Sequence, residues 1–105
     1  MVKDFSKSIL TEEIKKSKLI VLDFYAAWCG PCRSFSSTFE ECALSMSKLA
    51  VFGKVNIDEQ RDVAIEYKVS SIPTILIIKD GELVWNHVGT MDAEALKNKI
   101  NFFIK

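Results

Sequence analysis

Leu19-Ile20-Val21-Leu22-Asp23-Phe24-Tyr25-Ala26-Ala27-Trp28-Cys29-Gly30-Pro31-Cys32 is the stretch that decides how this chain folds. Leu19–Tyr25 is a continuous, β-rich apolar run, the mark of a strand buried on both faces. Pro31 follows Gly30 and suits the first turn of a helix, where a missing N–H leaves nothing unpaired. Two cysteines therefore sit where a buried strand hands over to a helix. That place has unpaired N–H groups and the positive end of the helix dipole, so a thiolate there is stabilised. Cys29, just ahead of the helix, is expected to be the exposed attacking thiol. Cys32 is expected to be the more buried one, placed to attack the Cys29 sulfur once Cys29 has bonded to a partner.

Working outward, strand-like and helix-like segments alternate. Residues 2–5 read as a short strand and Lys7–Lys16 as a helix. The helix from Pro31 runs through Phe35, Phe39, Cys42 and Met46 to about Leu49. Ala50–Ile57 reads as a buried strand, Asp62–Tyr67 as a short helix and Thr74–Ile78 as a strand. Asp80-Gly81 signals a tight hairpin turn into Leu83–Val88, and Asp92–Ile104 closes the chain as an amphipathic helix. The order predicts an α/β fold of three layers, with a mixed sheet of four to five strands and about four helices. The βαβ steps predict parallel pairing, and the last hairpin adds an antiparallel pair.

With 105 residues, the expectation is a single domain spanning 1–105. The 14 basic and 14 acidic residues cancel, which argues against nucleic acid as a partner. No apolar run is long enough to span a bilayer. Three cysteines do not make a disulfide-stapled secreted scaffold, so a reducing compartment, the cytoplasm, is expected. Half of a zinc site is the main competitor for Cys29 and Cys32. Only Cys42, His87 and carboxylates could complete it, so no metal is expected. Cys42 lies ten residues past Cys32 on one helix, about 15 Å away, and reads as core. His87 reads as a half-buried structural residue.

The chain resembles the thioredoxin family. Asp23–Cys32, Lys54-Val55-Asn56-Ile57-Asp58, Val69-Ser70-Ser71-Ile72-Pro73-Thr74, Lys79-Asp80-Gly81 and Val88-Gly89 match its blocks in register. The resemblance implies a thioredoxin fold and a protein disulfide reductase that cycles through Cys29 and Cys32. It implies no bound cofactor, with recharging by a thioredoxin reductase and NADPH, and a monomer acting on disulfide-containing protein substrates. Asp23 is a carboxylate in an otherwise buried run; burial raises its pKa toward neutrality, which suits a proton carrier. The family makes Lys54 its partner. It also implies a cis Ile72–Pro73 bond beside the disulfide, and a docking surface of Trp28, Gly30, Pro31, Ile72, Pro73 and Gly89. There an extended substrate segment pairs with the backbone of Ile72. Two departures stand out. Ser37 replaces a kink-forming proline, and Tyr25 stands where many relatives carry tryptophan, an exchange expected to change the chemistry little. The alternatives are an exported disulfide oxidase or isomerase, and a non-enzymatic assembly subunit built on the same fold.

Overall fold

The computed structural model describes residues 2–104. Its strands are β1 (Lys3–Asp4), β2 (Leu19–Tyr25), β3 (Val51–Asn56), β4 (Thr74–Lys79) and β5 (Glu82–Val88). Its helices are α1 (Lys7–Lys16), α2 (Gly30–Met46), α3 (Arg61–Glu66) and α4 (Ala93–Ile104). The strands form one mixed sheet, as the alternating pattern predicts, in the order β1-β3-β2-β4-β5.

Side-chain alternation along β2 divides the interior in two. Leu19 and Val21 face Phe35, Phe39, Cys42 and Met46 of α2 and Leu96 and Ile100 of α4. Ile20, Leu22 and Phe24 face the other way, onto Leu10 of α1 and Val63 of α3. Burying each of these large side chains contributes about 1.5–3 kcal/mol. Asp23 and Tyr25 share the parity of Val21, so both point to the α2 side of the sheet.

Pairing departs from the expectation at one crossover. β3 runs parallel to β1 and β2, but β4 lies antiparallel to β2. The reason is length. α3 has six residues and rises about 9 Å, whereas the six-residue β3 runs about 20 Å. So short a helix does not return the chain to the start of the sheet. β4 begins at the end where β2 and β3 finish, with Thr74 opposite Phe24.

Other boundaries move by a few residues. α2 stops at Met46 rather than near Leu49, and Leu49 is half exposed past its end. β3 is only partly buried, because β1 covers just two of its residues. α4 starts at Ala93 because Asp92 caps it: Oδ1 accepts from the N–H of Ala95 at 2.8 Å. The hairpin turn is as expected: Asp80 (φ 52°) and Gly81 (φ 84°) both take the left-handed conformation between paired Lys79 and Glu82.

Candidate active site

Cys29 is the N-cap of α2, and its Sγ accepts a 3.2 Å hydrogen bond from the N–H of Cys32. Pro31 lies in the first turn, and no acidic residue competes there for the helix's positive end. The two cysteines are joined as a disulfide with their Cα atoms 5.2 Å apart. Cys29 is not the exposed member expected from sequence. It is 6% accessible and Cys32 4%, because the sulfurs cover each other and Ala26, Tyr25, Ile57 and Ile72 pack around them.

The Ile72–Pro73 peptide is cis, as the resemblance implies. Ile72 packs on the cysteine cluster, and Pro73 accepts a 2.8 Å backbone bond from Gly89. Gly30 and Pro31 are exposed on the first turn of α2. Trp28 is 68% exposed, and its indole N–H donates to Asp58 Oδ2 at 2.8 Å. That partner was not singled out from sequence. Its sequence signal is its place at the end of the Lys54–Asp58 block, and in the structure it sits in the turn after β3, where Asn56 Oδ1 accepts from the N–H of Asp58.

Beneath Cys32 lies a cavity of about 230 Å³ lined by Asp23, Tyr25, Ala26, Ala27, Arg33, Ser36 and Lys54. That is room for several waters at about 30 Å³ each. Asp23 is 1% accessible, and its Oδ1 has no hydrogen-bond partner among the described residues. Burial pushes its pKa up to about 7, with the Lys54 charge opposing the rise. Lys54 is the Cα partner of Asp23 across the β2–β3 pair.

In α2, the hydroxyls of Ser34 and Ser37 donate back to the carbonyls of Gly30 and Ser34 in the preceding turn. Cys42 is fully buried and contacts the Ala93 carbonyl at 3.6 Å. His87 stacks on Trp85, and Trp85 packs against the α2–α4 core, which accounts for both. Among the described residues no cluster of three or more His, Cys, Asp or Glu could hold a metal. Nor is any described helix long and apolar enough to cross a membrane.

Comparison with known proteins places the chain. The thioredoxin family model matches residues 1–102. A thioredoxin of Chlamydia pneumoniae is 46% identical over 81% of this chain and 82% of its own length. One of Chlorobaculum thiosulfatiphilum is 37% identical over 90% and 88%. The solved thioredoxin of Plasmodium falciparum superposes with a TM-score of 0.87 at 32% identity, covering 98% of this chain and 99% of that one. With a helix-capping cysteine pair in that fold, the chain belongs to the thioredoxin family of thiol-disulfide oxidoreductases.

Proposed function

We propose that the chain works in the reducing direction, on disulfides of other proteins. The observation that carries this is Cys29 at the cap of α2, with Cys32 one turn on and within disulfide reach. In the dithiol form, the Cys29 thiolate attacks one sulfur of a substrate disulfide, and the other leaves as a thiolate. Cys32 then gives up its proton and attacks Cys29 Sγ. The second substrate sulfur leaves, and both substrate thiolates take up protons. Two electrons pass to the substrate, and the chain keeps the Cys29–Cys32 disulfide.

Asp23 takes the proton of Cys32. Support comes from their shared cavity and from a carboxyl poised near neutrality. Lys54 holds that carboxyl lower than burial alone would. Exposed Trp28, Gly30 and Pro31, together with Ile72, Pro73 and Gly89 beside the disulfide, form the substrate platform, supported by their common position at one end of the sheet. The cycle needs no prosthetic group, because Cys29 and Cys32 carry the electrons themselves. A thioredoxin reductase drawing on NADPH returns the disulfide to the dithiol, and the protein acts as a cytoplasmic monomer.

The test is reduction of insulin disulfides by dithiothreitol with and without the protein. Acceleration that vanishes in Cys29→Ser is expected, and no acceleration over dithiothreitol alone would refute the reading. Cys32→Ser should trap substrates as mixed disulfides on Cys29. Gel filtration of the reduced protein reports whether it is a monomer.

A further inference from the structure

Lys54 stands between two carboxylates. Sheet register sets it opposite Asp23 of β2 on one side and Asp4 of β1 on the other. Laterally paired residues project to the same face, so all three side chains lie on the α2 side. Asp23 is buried and Asp4 is exposed. A lysine on a flexible four-carbon stem is better hydrated beside the exposed acid, and nothing in the register alone keeps it at the buried one.

Tyr25 changes that balance. It follows Asp23 by two residues on β2 and shares its face. Its hydroxyl donates to Asp4 Oδ1 at 2.6 Å, and the Lys54 ammonium sits 4.8 Å from its ring centroid. One side chain thus occupies the competing carboxylate and offers its face to the cation. The ring also lines the cavity that holds Asp23, Cys32 and Lys54.

We propose that Tyr25 is a positioning residue: its hydroxyl engages Asp4 and its ring carries Lys54, so that the lysine's charge stays at the Asp23 cavity. Burial first, then the bond to Asp4, push the phenol up to about 12, so it remains a donor throughout the working range. The charged and titratable groups around Asp23 are Lys54 from β3, Cys32 and Arg33 from α2, and Tyr25 from its own strand, with Asp4 one strand further out. β4 presents Ile75 opposite Asp23 and adds no charge. The consequence for turnover rests on the proposed proton transfer through Asp23; the tether itself does not.

The test follows the Asp23 carboxyl carbon by NMR against pH in the oxidised protein. Tyr25→Leu removes ring and hydroxyl together, and its Asp23 midpoint should rise by about half to one pH unit as the cation drifts away. Tyr25→Phe keeps the packing and frees only Asp4, so it should give a smaller rise and serves if the leucine variant does not fold. Asp4→Asn should lower the midpoint more in the Tyr25→Phe background than in the parent, because only there can Asp4 draw Lys54 off. Equal midpoints in parent, Tyr25→Phe and Tyr25→Leu overturn the proposal. An Asp4→Asn effect of the same size in both backgrounds also overturns it. The pH profile of mixed-disulfide resolution by Cys32 separates the two ideas. If the midpoint moves and the profile moves with it, both stand. If the midpoint moves and the profile does not, the tether stands and the proton-carrier role of Asp23 fails.

Discussion

Asp23→Asn should make the protein more stable, by an amount that depends on pH. The folded carboxyl has its pKa raised to about 7, while the same group in the unfolded chain titrates near 3.8. The sign is the reverse of a salt-bridged aspartate. Below about pH 4 the group is protonated in both states and costs nothing. As pH rises the unfolded chain ionises first, so folding must bind a proton and stability falls. Above about pH 7 the folded protein holds a buried carboxylate whose Oδ1 has no hydrogen-bond partner among the described residues, and the whole difference counts. At about 1.4 kcal/mol per pH unit, the penalty grows from ~0.5 kcal/mol at about pH 4 to ~4 kcal/mol at about pH 8. An uncharged amide of nearly the same shape escapes that term. Urea unfolding of the oxidised parent and variant, run at several pH values, reads it directly as a shift in midpoint at constant slope. The curves should diverge between about pH 4 and pH 8 and run level above that. A stability difference independent of pH would refute the reasoning, because it would mean that Asp23 titrates alike in both states.

Three further outcomes follow from packing and contacts. A Cβ on Gly53 would meet three ring atoms of Phe5 at 2.8–2.9 Å, and Phe5 is itself buried, so Gly53→Ala should cost about 1–3 kcal/mol by urea unfolding. Cys42 is fully buried and burial raises its thiol pKa, so it should resist thiol reagents in the folded protein. Cys42→Ala should cost about 1 kcal/mol and leave insulin reduction unchanged. Asp58→Ala removes the side-chain acceptor of the exposed Trp28 indole, and kcat/KM toward a protein disulfide should drop about two- to ten-fold, the worth of one ordinary hydrogen bond of about 0.5–1.5 kcal/mol.

What the sequence reveals tracks how local the cause is. The run Leu19–Tyr25 shows a strand buried on both faces because apolar continuity is a property of neighbours along the chain, and β2 is that strand. Asp80-Gly81 shows its turn because two consecutive left-handed residues have few alternatives. The cysteine pair at a helix start is legible for the same reason. The direction of β4 is less so: it depends on whether α3 can cover the length of β3, a comparison between two elements rather than a pattern within one. The burial of Cys29 is hidden too. It comes from Ile72 and Ile57, which arrive from loops far along the chain.

Asp23 and Lys54 show where local reading ends. A carboxylate inside an apolar run is conspicuous on its own, and its burial needs no partner to be foreseen. Burial lifts its pKa to about 7, and how far Lys54 restrains that rise depends on where one ammonium rests, which is set by register. β2 and β3 pair so that Lys54 faces Asp23, β1 and β3 pair so that it also faces Asp4, and Tyr25 reaches Asp4 across the width of β3. None of these three relations has a sequence period. Tyr25 accordingly reads, from sequence, as an exchange of one aromatic residue for another with little consequence. In the folded sheet its hydroxyl is the feature a tryptophan lacks at that point, and it is bonded to the one acid in register with Lys54 from the far side. A change at position 25 that keeps an aromatic ring but drops the hydroxyl is therefore not conservative for the electrostatics of Asp23, although it is conservative for packing.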